Sequence, residues 1–162
     1  MRVLITGAGG QLGRDLVEVC EKAGDDVFGL AHAQMDLTDR DAVLSTVLTV
    51  RPDAVVNAGA WTAVDACEAD PERAWQVNAL GARHVAEAAR RAGAYLCQVS
   101  TDYVFDGTKP TPYTEWDLPA PTSVYGRSKW GGEQEVGRAD SIVRTSWVCG
   151  LHGKNMVHTV LA

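Results

Sequence analysis

The sequence has no basic run, no apolar stretch longer than a strand, no paired-cysteine motif, and no repeat or low-complexity tract. Each absence excludes a class. With a net charge of −6 and scattered basic residues, the chain offers no electrostatic footprint for nucleic acid or an anionic membrane surface. Without about 20 consecutive apolar residues, nothing in it reads as a membrane span. The opening MRVLITGAGG lacks the apolar core and cleavage site of a signal peptide and reads as a strand that starts at once. Cys20, Cys67, Cys97 and Cys149 are far apart, with no histidine at metal-ligand spacing. They read as small core residues in a reduced cytoplasm, and no metal is expected.

What is present is a chain of 162 residues, 46% hydrophobic, enough for one domain with a core. Strand and helix patterns alternate. Residues 2–7 read as an apolar strand, followed by Leu12, Leu16, Val19 and Ala23 at helical spacing, with Gly24 as the stop. Residues 26–31 form a second strand. Thr38 with Asp41 resembles a capping box for a helix with apolar face Val43, Leu44, Val47 and Leu48, ended by Pro52. A third strand covers residues 54–59. Asp70-Pro71 starts a helix carrying Ala74, Val77, Gly81, Val85, Ala88 and Ala92, closed by Gly93. Residues 95–101 form a fourth strand. Residues 106–122 hold four of the six prolines and read as an irregular loop. A glycine-interrupted helix follows from Val124, with Gly137 as its stop, then a fifth strand over residues 141–147. The chain ends at Ala162 in a helical pattern that begins near Asn155. This alternation predicts an α/β fold, a doubly wound parallel sheet of Rossmann-like type.

The loop between the first strand and helix, GAGGQLG, places Gly7, Gly10 and Gly13 three apart. Gly7 suits a tight turn, Gly10 the approach of a pyrophosphate, and Gly13 close packing of helix on sheet, with the helix N-terminus facing the anion. Arg14 stands where a P-loop needs Lys-Ser or Lys-Thr, so the expected ligand is a dinucleotide. No acid stands at the end of the second strand before Asp36. That favours NADPH, with NADH also open, and Arg14 and His32 are candidates for a 2′-phosphate.

Tyr125 and Lys129 stand four apart in VYGRSKWGGE, which makes them helical neighbours roughly 6 Å apart at Cβ. A lysine ammonium beside a phenol lowers the phenol pKa and fits Tyr125 for proton transfer. Ser100-Thr101-Asp102 closes the fourth strand at the end that faces the ligand crevice of an open parallel sheet. Gly126, Gly131 and Gly132 would each weaken a free helix and suit close approach of a cofactor or a neighbouring helix.

With the glycine loop, NAGAWTAVD, STDYVFDG, YGRSKWGGE and RTSWVCG in this order, the chain resembles the extended short-chain dehydrogenase/reductases, and more narrowly the dTDP-4-dehydrorhamnose reductases. The resemblance implies reduction of the C4 keto group of a dTDP-linked 4-keto-6-deoxy sugar by NADPH or NADH. It implies Tyr125, Lys129 and Thr101 as catalytic residues. For the cofactor it implies Gly7, Gly10, Gln11, Leu12, Gly13, Asp36, Leu37, Ala58, Gly59, Ala60, Trp61 and Thr62, together with Tyr125 and Lys129. For the sugar it implies Thr101, Asp102 and Trp147. Some members bind magnesium through acids that include the position of Asp15, but the partner acids lie beyond Ala162, so no metal is expected here. Members also continue into a smaller C-terminal part that closes over the substrate. Residues 1–162 are therefore expected to be the NAD(P)-binding Rossmann domain without that part. The glycine-interrupted helix could pack against its copy in a homodimer. Three alternatives stay open at this stage: a nucleotide-sugar epimerase or dehydratase on the same fold, a non-catalytic regulatory relative, and an inactive domain fragment.

Overall fold

Five apolar runs form one parallel sheet in the computed structural model, which describes residues 1–153 and 155–161. The strands are β1 Arg2–Thr6, β2 Asp26–Leu30, β3 Ala54–Asn57, β4 Tyr95–Thr101 and β5 Ser141–Thr145, in the order β2-β1-β3-β4-β5. All four pairings are parallel. The order reverses between β1 and β3, so the crevice outside their carboxyl ends is where such a sheet binds ligands. Leu4, Val55 and Leu96 on adjacent strands are fully buried and meet Val43, Val47, Val85 and Ala88 from the helices on one face. That is the two-sided burial expected of a parallel sheet.

The helices are α1 Gln11–Lys22, α2 Arg40–Val50, α3 Val64–Ala69, α4 Pro71–Trp75, α5 Gly81–Ala92, α6 Val124–Glu133 and α7 Met156–Leu161. Ala162, where the sequence pattern ends, lies outside the described residues.

Four local expectations are corrected. The cap of α2 is Asp39, whose side chain accepts from the Ala42 amide at 3.0 Å, while the Thr38 hydroxyl is turned to Asp36. Val19 is 63% exposed, because α1 packs through Leu16, Val17 and Cys20, and Leu48 is also exposed on α2. The single helix expected from Asp70 to Gly93 is broken by a π-helical turn at Gln76–Leu80, and α3 precedes it without having been anticipated. Cys149 is exposed rather than a core residue.

The glycines of α6 are explained by packing. A Cβ at Gly126 would stand 2.2 Å from the Tyr103 carbonyl oxygen, and one at Gly132 would stand 2.5 Å from that of Asn78. One at Gly131 would meet the Trp75 ring at 2.8 Å. Their weak helix propensity is therefore offset by close contact with the elements beneath. No helix among the described residues is long and apolar enough to cross a membrane.

Candidate active site

The carboxyl ends of the strands open into a cavity of about 840 Å³. Its floor is built from the glycine loop. Gly7 takes φ 67°, and a Cβ there would stand 2.7 Å from Gly59, so only glycine lets the loops after β1 and β3 touch. Gly10 precedes α1 in extended conformation, and no side chain caps the helix. The amides of its first turn are left for a ligand, and an anion there is favoured by the helix dipole. A Cβ at Gly10 would meet only the Gly7 carbonyl, at 3.2 Å, whereas at Gly13 it would meet that oxygen at 2.1 Å. The arrangement fits a dinucleotide pyrophosphate: an uncapped helix start, bordered by an open glycine, on the wall of a cavity.

Beneath the loop runs a buried polar chain. The Thr6 hydroxyl donates to Asn57 Oδ1 at 2.5 Å, Asn57 Nδ2 donates to Gln98 Oε1 at 2.7 Å, and Gln98 Nε2 donates to the Val99 carbonyl at 2.9 Å. The Gly59 amide donates to the Thr6 hydroxyl at 3.1 Å. The chain ties β1, β3 and β4 together at the edge that carries the site.

The cavity wall opposite the loop carries Thr101, Asp102, Tyr125 and Lys129. Helix α6 is started by Ser123, whose hydroxyl accepts from the Gly126 amide at 3.0 Å. Tyr125 is 8% exposed and meets Tyr103 edge to face at 5.5 Å. Lys129 is buried and donates from Nζ to the Val99 carbonyl at 2.7 Å. Burial pushes its pKa down to about 8, opposed by the charge of Glu133. The Tyr125 phenol differs from expectation. Its pKa is raised, chiefly by burial, and the Thr101 hydroxyl pulls it the other way. The lysine that was to lower it points at a backbone carbonyl instead.

Asp102 joins two strand ends. Its Oδ1 accepts from the Thr101 hydroxyl at 3.1 Å and its Oδ2 from Ser146 at 2.8 Å. Trp147 lies on the rim, 75% exposed, at φ 52°. Gln11 closes that side by donating to the Val148 carbonyl at 2.6 Å.

Of the residues expected to meet a cofactor, Gly7, Gly10, Gln11, Leu12, Gly13, Ala58, Ala60 and Thr62 line the cavity together with Tyr125 and Lys129. Four others lie off its wall. Asp36 is engaged by the amide and hydroxyl of Thr38, both at 2.9 Å. Leu37 is a core residue, Gly59 packs against it, and Trp61 sits under the Arg73 guanidinium at 4.6 Å. Arg14 is exposed, and His32 lies 4.0 Å from Asp36. Asp15 faces His152 at 3.7 Å, and among the described residues no group of three potential ligands converges on a metal position.

Sequence reasoning did not assign Asn78, Glu133 or Ser146. Asn78 sits in the π-helical turn, accepts from the Trp61 amide at 2.8 Å, and donates to the Trp61 carbonyl and the Ser128 hydroxyl, each at 3.0 Å. It thereby links the loop after β3 to α6. The only local signal was a polar residue within an otherwise apolar helical face.

Comparison with known proteins gives the same picture. The model of the family described as RmlD substrate binding domain matches residues 1–162. A dTDP-4-dehydrorhamnose reductase of Streptomyces griseus is 46% identical over 160 residues, covering 96% of this chain and 53% of the relative. The spore coat polysaccharide biosynthesis protein SpsK of Bacillus subtilis is 41% identical over 163 residues, covering 99% of this chain and 58% of that protein. A crystal structure of a dTDP-4-dehydrorhamnose reductase from Bacillus anthracis in complex with NADP superimposes with a TM-score of 0.94 at 42% identity, over 99% of this chain and 59% of that one. The chain thus spans little more than half the length of the proteins it matches.

Proposed function

The chain belongs to the RmlD substrate binding domain family, and from that premise we propose that it is the dinucleotide-binding part of a reductase acting on the C4 keto group of dTDP-4-dehydro-L-rhamnose. The observation that carries the reading is the convergence of Thr101, Tyr125 and Lys129 on the cavity that the glycine loop floors. In this reading residues 1–162 hold the cofactor. The part that closes over the sugar corresponds to the remaining length of the relatives. The relative solved with NADP, and the absence of an acid at the end of β2, favour NADPH over NADH.

NADPH, when bound, supplies the hydride. The protein supplies the rest. The α1 N-terminus and Gly10 hold the pyrophosphate, and Lys129 holds the nicotinamide ribose. Thr101 and Tyr125 hydrogen-bond the keto oxygen, and the Tyr125 phenol gives its proton to that oxygen as negative charge develops there. Burial keeps the phenol protonated at neutral pH, as a proton donor must be. Asp102 and Trp147, on the open side, meet the sugar. An epimerase or dehydratase needs a second acid beside this pair, but Tyr103 follows Asp102 and no further carboxylate lines this wall. The protein acts as a cytoplasmic enzyme without nucleic-acid or membrane partners, and the face of α6 that carries Trp130 is available to a second copy.

The test is loss of reduced-nicotinamide absorbance with NADPH and dTDP-4-dehydro-L-rhamnose, alongside the Tyr125→Phe variant. NADPH binding is followed separately by fluorescence. The expected result is NADPH binding by both proteins, and turnover that the variant loses. A form carrying the relatives' full length that binds NADPH yet reduces nothing would overturn the reading in favour of a regulatory relative.

A further inference from the structure

One charged pair beside the site has no role in the scheme above. Glu133 is the last residue of α6, one turn beyond Lys129, and its carboxylate is 2% exposed. Both oxygens are taken by Arg144 of β5, from Nε at 3.0 Å and from Nη2 at 2.7 Å. The guanidinium is held flat over the Phe105 ring at 5.0 Å, and that ring stacks on Tyr113 at 4.2 Å. A carboxylate buried without a partner would take up a proton, and bidentate pairing with a fixed guanidinium keeps it ionised. The pair is structurally over-determined for an ordinary helix end.

Lys129 needs such a neighbour. It is buried, and its hydrogen-bond acceptor among the described residues is the neutral Val99 carbonyl. Residues four apart on a helix face the same side, about 6 Å apart at Cβ. The other ionisable groups on the elements packed against α6 act elsewhere. Cys67 from α3, with Asp102 and Tyr103 after β4, act on Tyr125. Glu68 accepts the Val124 amide, Arg73 covers Trp61, and Glu87 pairs with Arg40.

We propose that Glu133, held ionised by Arg144, is a positioning residue that keeps the Lys129 ammonium charged and in place at neutral pH. The inference rests on the reading above only in taking Lys129 as a cofactor-facing group. Without the anion behind it, the lysine loses its proton closer to neutrality and no longer holds the ribose hydroxyls.

The experiment follows the side-chain NMR signal of Lys129 through a pH titration of the 162-residue chain, assigned by its disappearance in Lys129→Met. NADPH affinity is measured over the same range. In Glu133→Gln the lysine midpoint is expected to fall by about one unit. NADPH binding at pH 8 should weaken about fivefold, as the charged fraction drops. If Glu133→Gln does not fold, the double variant Glu133→Gln/Arg144→Gln, which leaves no unpaired charge, is read in its place with the same expectation. An unchanged lysine midpoint overturns the proposal. Failure of the wild-type chain to bind NADPH overturns the cofactor reading instead, and the lysine titration still decides this one.

Discussion

Lys129 reaches past its helical neighbour Tyr125 to donate to the Val99 carbonyl at 2.7 Å, and it makes that bond from a buried position. A charged group is thus held out of water on the wall of the site, which costs stability that an apolar residue would not.

Replacing it therefore separates stability from function. The folded-state pKa of about 8 lies below the ordinary 10.5. Below pH 8 both folded and unfolded chains are protonated, and the folded chain bears the full cost, ~3 kcal/mol. As pH rises from 8 to 10.5 the folded chain sheds the proton first and the cost disappears. Lys129→Met is expected to be more stable than wild type at pH 7, with the gap closing towards pH 10.5, because Gln98 still satisfies the Val99 carbonyl. Urea melts at the two pH values measure it. A variant less stable than wild type at pH 7 would contradict the account.

The glycine loop predicts two different outcomes from one kind of substitution. Gly13→Ala drives a methyl group to 2.1 Å from the Gly7 carbonyl oxygen, against backbone that cannot rotate away. Overpacking of this kind is expected to cost ~3 kcal/mol or more. Gly10→Ala meets only that carbonyl, at 3.2 Å, and is expected to leave the melting temperature nearly unchanged while weakening NADPH binding. Thermal melts with and without NADPH distinguish the two. Equal destabilisation by both would show that the loop is a packing device alone.

The strands, the βαβ order and the Tyr125–Lys129 pair were legible because each is written in a short run of adjacent residues. Register and cavity followed from the topology rule for parallel sheets. What escaped was written in pairs far apart. Thr6 meets Asn57 across 51 residues, and Asn57 meets Gln98 across 41. No local pattern announces either contact. The same holds for Glu133 with Arg144. The π-helical turn at Gln76–Leu80 was hidden because one extra residue in a helix barely disturbs its apolar spacing. Val19 was misplaced because α1 offers two overlapping apolar faces, and only contact with Gly29 on β2, through Val17, selects one.

The start of α2 gives a simple check on cap assignment. Asp39 accepts the Ala42 amide, so Asp39→Ala is expected to cost about 1 kcal/mol. Thr38→Ala removes only an exposed contact with Asp36 and should cost ~0.5 kcal/mol or less. Denaturant midpoints rank them, and the reverse ranking would restore Thr38 as the cap.

Asn78 joins the cofactor side of the cavity to the catalytic helix. Its side chain is 2% exposed, receives the Trp61 amide, and gives both its protons, one to the Trp61 carbonyl and one to Ser128. Ser128 in turn donates to the Tyr125 carbonyl at 2.8 Å. Asn78→Ala strands these buried groups and is expected to cost ~3 kcal/mol, equally at pH 5 and pH 8. Asn78→Asp keeps the acceptor for the Trp61 amide but, when ionised, turns an oxygen on the Trp61 carbonyl. Burial and that repulsion raise the introduced carboxyl's pKa in the folded chain. A raised folded-state pKa gives stability that is present below the unfolded value and lost as pH rises through the folded one. Asn78→Asp should therefore approach wild type at pH 5, where a protonated carboxyl can donate, and fall below it at pH 8. Urea melts of both variants at both pH values decide the matter. A pH-independent loss in Asn78→Asp would mean that the side chain has turned out of the bridge, and that the link between Trp61 and Ser128 is not what holds α6 in register with the loop.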